Sequence, residues 1–304
     1  MDFVTKLLEM LACRYPIIQG PIDAVNSPGF VAAVCEAGAF GMLALGSRNL
    51  EEAKKLIREV RALTNKPFGA NIMIKNPANP GILEVLSSAG VRVVTTSKGQ
   101  PDHIYPMIHD AGMRGFHVVL TLQHAMKAAE NGADGLVVSG SESGGLRSLN
   151  SESSTMVLVP LVVDHVDIPV VAAGGIADSR GYNAAIALGA QGVQIGTRLI
   201  ASKESPASEK WKDAIVKCGD GDTYFLPLKQ GMGMRVVSDA SLENKIARNL
   251  NLMEEYKLRN ALEAWTSGNF DLFPAAAGQS AALVKEIKTV REIVEGLVAA
   301  ALGR

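Results

Sequence analysis

The chain has 304 residues, with 30 Lys and Arg against 31 Asp and Glu, for a formal net charge of −1. That balance excludes a global electrostatic attraction to nucleic acid or to an anionic membrane surface, and 47% hydrophobic with 20% charged residues excludes a disordered chain. Three widely spaced cysteines, Cys13, Cys35 and Cys218, exclude a disulfide scaffold and a metal-ligand spacing.

Eight short apolar runs rich in β-branched residues read as strands: 16–19, 40–45, 68–73, 91–95, 115–120, 134–138, 168–173 and 191–195. None alternates strictly, as expected of parallel strands covered on both faces. Helical spacing separates them, in Phe30, Val34 and Ala37, in Leu56, Val60 and Leu63, and in Leu122, Ala125, Met126 and Ala129. Gly38, Gly90, Gly112, Gly132 and Gly189 each stand between a helical pattern and a strand, where a left-handed residue ends a helix. Eight βα units of similar length predict an α/β fold, a TIM (β/α)8 barrel, over an open doubly wound sheet. The longest interval, 134 to 168, predicts an extra loop of roughly 15 residues, and long loops are usually functional.

After about residue 218 this cadence stops, at Gly219-Asp-Gly-Asp222, which reads as a flexible joint. The expected organisation is a barrel over 1–218 and a helical C-terminal segment over 219–304 packed on the barrel mouth. A separate C-terminal domain is the alternative. The closing helix is expected to carry Leu283, Ile287, Val290, Val294 and Leu297 on one stripe. The first ten residues lack the basic start and long apolar run of a signal peptide, and the 168–173 run is far short of the ~20 residues of a membrane helix. The expectation is a cytoplasmic protein.

In a TIM barrel the chemistry sits on the loops after the strands, and the loops after strands seven and eight usually cradle phosphate. Here they are Gly174-Gly175 and Gly196-Thr197. Glycines let main-chain N–H groups approach an anion without an intervening Cβ, and Thr197 adds a hydroxyl. A plain tight turn is the alternative reading of Gly174-Gly175. Other motifs fail: Glu142 stands at the centre of Gly140-x-x-x-Gly144, where a serine-hydrolase elbow needs Ser, and Gly231-Met-Gly233 lacks the third glycine of a dinucleotide fingerprint.

PIIQGP at 16–21, FGAN at 68–71, VVTTS at 93–97, ESGG at 142–145, VAAGGIAD at 171–178 and QGVQIGTR at 191–198 together resemble the nitronate monooxygenase (2-nitropropane dioxygenase) family, which includes FMN-dependent enoyl-ACP reductases of type II. The resemblance runs from about residue 14 to 205, and Gly278-Gln279 with the closing helix resembles the family's tail. It implies non-covalent FMN, with the phosphate on Ala173, Gly174, Gly175, Gly196 and Thr197. The flavin ring would rest near Gly20, Pro21 and Ile22, with Asn71 at its edge, and Ser139 and Gly145 complete the cofactor set. The implied activity is oxidation of alkyl nitronates with O2. The implied alternatives are NAD(P)H-dependent reduction of an enoyl thioester (ACP or CoA) or of a quinone.

One departure stands out. The family's pattern after the sixth strand reads Glu-x-Gly-Gly-His, with the histidine catalytic, and this chain has Leu146 there, followed by Arg147. Leucine exchanges no proton. Lys98, after the fourth strand, and Glu142 are the candidate catalytic replacements, the alternative readings being a solvated lysine and a loop-organising carboxylate. Arg147 can bind an anion or lie on the surface. His117, within the fifth strand, can point into the barrel, and Met42, Met73, Met232 and Met234 can line an apolar cavity or simply pack. A non-catalytic flavin-binding homologue and a flavin-free phosphosugar isomerase or aldolase-like barrel remain alternatives. The expected partners are a small-molecule substrate, including an acyl thioester, and a second copy in a homodimer, with no nucleic acid or membrane.

Overall fold

In the computed structural model, which describes residues 5–99, 101 and 103–299, every predicted barrel strand forms where the apolar runs lie. The strands are β1 (Ile17–Gln19), β2 (Gly41–Ala44), β3 (Phe68–Met73), β4 (Val93–Ser97), β5 (Arg114–Val119), β6 (Gly135–Ser139), β7 (Leu146–Ser148), β8 (Val170–Ala173), β9 (Gly192–Ile195), β10 (Thr223–Pro227) and β11 (Met232–Val237). All but β7, β10 and β11 form one parallel eight-stranded sheet in the order β1-β9-β8-β6-β5-β4-β3-β2. It curls until β1 meets β2, where Phe40 N–H donates to Ile17 O at 2.8 Å and Gln19 N–H to Phe40 O at 2.9 Å. The fold is a TIM barrel.

Beyond that bridge β1 and β2 diverge, and side chains continue the ladder. Gln19 Oε1 accepts from Met42 N at 3.1 Å, and the Asn26 amide both accepts from Ala44 N at 2.8 Å and donates to Ala44 O at 2.7 Å. Unpaired main-chain groups buried at this seam would cost of order 1–3 kcal/mol each.

Alternation along the strands separates two apolar regions. Ile18, Phe40, Met42, Val93, Phe116, Val137, Val171 and Ala173 fill the barrel interior, and Leu7 and Leu11 of the Lys6–Leu11 helix join them as a plug at the amino-terminal end. The intervening residues pack outward against the helices. Gly38, Gly90, Gly112, Gly132 and Gly189 all have positive φ, from 71° to 98°, as the helix-ending role requires.

The C-terminal segment differs from its expectation in three ways. It is not helical throughout: β10 and β11 pair antiparallel, and β11 pairs in turn with β7 from the long loop after β6. The Gly219–Asp222 stretch forms a hydrogen-bonded turn, with Asp222 Oδ2 accepting from Gly219 N at 2.7 Å. The closing helix begins only at Val290, where Thr289 and Glu292 form a capping box, so Leu283 and Ile287 precede it and Leu283 is exposed. This Val290–Val298 helix packs against the Pro28–Glu36 and Ser179–Ala187 helices. It thereby occupies the place of the barrel's eighth helix.

Candidate active site

The inward positions at the carboxyl ends of the strands carry polar side chains above the apolar interior. Two residues beyond inward Val93 lies Thr95, and two beyond Val137 lies Ser139, so the strand period that fills the core also sets the rim. Asn71 donates to Thr95 Oγ1 at 2.9 Å and accepts from Ser97 Oγ at 3.3 Å, which fixes its amide orientation. Ser139 Oγ donates to Ser143 Oγ at 2.8 Å. Asn71, Ser139, Ala173 and Thr197 are buried, while Gly20, Pro21 and Ile22 are half-buried at the opening.

β8 and β9 are in register, Ala173 beside Gln194, so the two glycine turns emerge side by side at the same end. Gly174 and Gly175 have φ of 101° and 75°, conformations that favour glycine. A Cβ on Gly174 would also lie 3.0 Å from Thr155 Oγ1 and 3.2 Å from Ser143 N. Gly196 is approached by the loop after β1: Gly20 N–H donates to Ile195 O at 2.8 Å, and a Cβ on Gly20 would lie 3.2 Å from Gly196 Cα.

The C-terminal segment sits on these turns. Gly278 N–H donates to Thr197 Oγ1 at 2.9 Å and Gln279 N–H to Glu142 O at 2.8 Å. A Cβ at Gly278 would meet Glu142 O at 2.6 Å, so this close approach needs glycine.

Gln194 carries a signal that reading the sequence missed. Its flanks Val193 and Ile195 pack in the outer core, so its side chain points inward, and its Oε1 is buried with no hydrogen-bond partner. An orphaned carbonyl oxygen in a polar barrel mouth calls for a donor that the described residues do not supply. Period-two alternation in β9 was the available clue.

Several candidates take other roles. Both Glu142 carboxylate oxygens accept from Thr155 N, at 2.9 and 3.1 Å, so the carboxylate caps the Thr155–Val163 helix, beside the Gly174-Gly175 turn. Arg147 is buried, not a surface residue: its guanidinium donates to Gly140 O at 2.6 Å and to Ser151 O, stapling the long loop, and burial holds its pKa below the ordinary value. Leu146 lies in β7 directly across from Met234, half-buried, and Gly145 is exposed with open space where a Cβ would be. His117 points outward, against the helical layer, with Nδ1 2.6 Å from Thr96 Oγ1. Lys98 is exposed on the rim with φ of 55°. A cavity of about 220 Å3, lined by residues including Arg14, Cys35 and Lys66, lies at the opposite end, before β1, β2 and β3.

The described residues include no helix long and apolar enough to cross a membrane and no group of three metal-ligating side chains. The nitronate monooxygenase family model matches residues 4–82 and 78–300. The chain is 34% identical to a (3aS,4S,5R,7aS)-5-hydroxy-7a-methyl-1-oxo-octahydro-1H-indene-4-carboxyl-CoA dehydrogenase from Rhodococcus jostii, over 82% of this chain and 69% of that one. It is 28% identical to a nitronate monooxygenase from Paraburkholderia phytofirmans, over 95% and 93% of the two chains. FabK from Thermotoga maritima superposes with a TM-score of 0.87 at 35% identity, over 97% of this chain and 95% of that one. A barrel whose carboxyl-end turns, long loop and C-terminal strap carry this pattern is an oxidoreductase scaffold, and the chain belongs to the nitronate monooxygenase family.

Proposed function

We propose that the protein is an FMN-dependent oxidoreductase that exchanges hydride with the carbon chain of an acyl thioester, NAD(P)H serving as the other hydride partner. The observation that carries this reading is Leu146 in β7, opposite Met234, where the family resemblance puts a catalytic histidine. The wall is apolar at that position and offers neither a proton acceptor to a neutral nitroalkane nor a hydrogen-bond donor to a nitronate anion. The Rhodococcus jostii relative is named for a carboxyl-CoA substrate, which supports the thioester class.

The residues fit the cofactor. The positive-φ turn at Gly174 and Gly175 beside Gly196 and Thr197 suits a phosphate, with Ala173 below it. Gly20, Pro21 and Ile22 offer an apolar edge, Asn71 and Ser139 offer fixed polar groups, and the unpartnered Gln194 oxygen offers an acceptor to a ring N–H. When bound, FMN supplies a ring that accepts and returns hydride. The protein's part is orientation: the glycine turns would hold one end, Asn71 and Gln194 the polar edge, and Gly278 N–H, donating to Thr197 Oγ1, sets the direction of that hydroxyl.

Nitronate oxidation is the second reading, favoured by the near full-length match to nitronate monooxygenases. A yellow protein bleached anaerobically by NAD(P)H and reoxidised by an enoyl-CoA supports the first reading. Nitrite release from propyl-2-nitronate without NAD(P)H supports the second and overturns the first.

A further inference from the structure

Lys75 and Lys98 stand out among the cations near the barrel mouth. Arg48 is paired with Asp23, Lys229 with Glu254 and Arg180 with Asp178. Among the described residues neither Lys75 nor Lys98 has an ion pair or a hydrogen bond through its side chain, and both are exposed. They follow neighbouring strands. β3 and β4 are in register, Met73 beside Ser97, and Ile74 N–H donates to Ser97 O at 3.1 Å, which ties the two loops together. A Cβ on Gly99 would lie 3.4 Å from Ile74 Cβ, so the loops touch at the residues beside each lysine.

The backbone at this point is unusual. Lys98 has φ of 55° and Gly99 of 137°, so a lysine adopts a left-handed conformation that residues with side chains rarely take. In the strand order of the barrel, β3 and β4 lie diametrically across from β8 and β9. The mouth therefore has a glycine-lined anion cradle on one side and, on the other, two cations without an ion pair among the described residues.

We propose that Lys75 and Lys98 hold the phosphorylated adenosine diphosphate tail of a reactant that reaches the mouth from the side opposite the Gly174–Gly175 turn. This rests on the oxidoreductase reading above. Two reactants of that reading carry such a tail, an acyl-CoA with a ribose 3′-phosphate and NADPH with a ribose 2′-phosphate. Two ammonium groups on touching loops suit a multiply charged, flexible group, whereas a compact phosphate suits a pre-shaped main-chain cradle. No covalent step is involved.

The test is calorimetric titration of the purified protein with CoA against dephospho-CoA and with NADPH against NADH. The proteins compared are wild type, Lys75→Gln, Lys98→Asn and the double variant. Asparagine tolerates the left-handed backbone, so Lys98→Asn removes the charge with little strain, and Lys98→Arg restores it. The wild type is expected to prefer the extra phosphate in one of the two pairs by about fivefold or more, each single variant to lose about two- to fivefold of that preference, and the double variant to lose it entirely. Raising salt from about 50 mM to about 300 mM should erase the preference too. A CoA preference identifies the thioester as the tail's source, and an NADPH preference identifies the nicotinamide. A wild type without preference in either pair, or a double variant that keeps it, overturns the proposal. A colourless preparation that takes up no FMN fails the oxidoreductase reading instead, so the two failures are told apart by a visible spectrum.

Discussion

The Nε2 atoms of His117 and His124 lie 3.1 Å apart, bridging β5 and the Leu122–Glu130 helix. Thr96 Oγ1 donates to Phe116 O at 3.2 Å, so it accepts from His117 Nδ1–H, and His117 Nε2 is left to accept from His124 Nε2–H. The network requires the His117 ring neutral. Burial first, and the neighbouring His124 second, push the His117 pKa from 6.5 down to about 3, and burial lowers His124 as well.

The unfolded chain therefore binds more protons than the folded one between those two values. Stability is complete above about pH 6.5 and falls as the pH drops towards 3, by up to about 1.4 kcal/mol per unit for His117 alone. Urea denaturation at about pH 7 and about pH 5 should show this loss, and His117→Gln should flatten it. An unchanged slope in the variant would place the acid sensitivity elsewhere.

Glu142 caps the Thr155–Val163 helix, so Glu142→Ala is expected to cost about 1–2 kcal/mol in urea denaturation, with Glu142→Gln costing less because one acceptor remains. A catalytic base would give the opposite pattern, a fall in kcat at unchanged stability.

Gln194→Leu should act with opposite signs on two states. Removing an unpartnered buried oxygen is expected to leave the FMN-free protein as stable as before or more stable by about 1 kcal/mol, while FMN binding weakens about tenfold. Fluorescence titration and thermal melts read the two effects separately. Unchanged FMN affinity would remove Gln194 from the cofactor set.

Leu146→His returns a titratable ring to the wall opposite Met234. Nitrite release from propyl-2-nitronate should rise at least tenfold above wild type, with a pH dependence near the ordinary histidine pKa of about 6.5. No rise would mean that β7 holds this position away from the substrate.

The barrel was legible because each strand is covered on both faces and so reads as an unbroken apolar run, and because five glycines mark helix ends whose left-handed φ the structure bears out. The Gly174-Gly175 turn was legible for the same reason, whereas Gly196, with φ of −114°, carries no such requirement. β7, β10 and β11 were not: three short strands in a small antiparallel sheet carry no period long enough to stand out, and Gly231 and Gly233 disguise β11. Arg147 misled because charge argues for the surface, and its burial is made tolerable by the main-chain carbonyls of Gly140 and Ser151 and the Ser151 hydroxyl, brought close by the loop's own path. The outward turn of His117 and the inward turn of Gln194 depend on strand register, which a single residue's shift reverses.

The helix in the eighth place of the barrel, Val290–Val298, lies about a hundred residues beyond the strand it serves, Gly192–Ile195. During synthesis all eight strands leave the ribosome while the groove between the Pro28–Glu36 and Ser179–Ala187 helices is still bare. The nascent chain must wait, with apolar surface open to chaperones, until Val290, Val294 and Leu297 emerge and fill it. The outer layer of the ring therefore closes only after this helix has been made, and the first and last helices of that layer become neighbours only then.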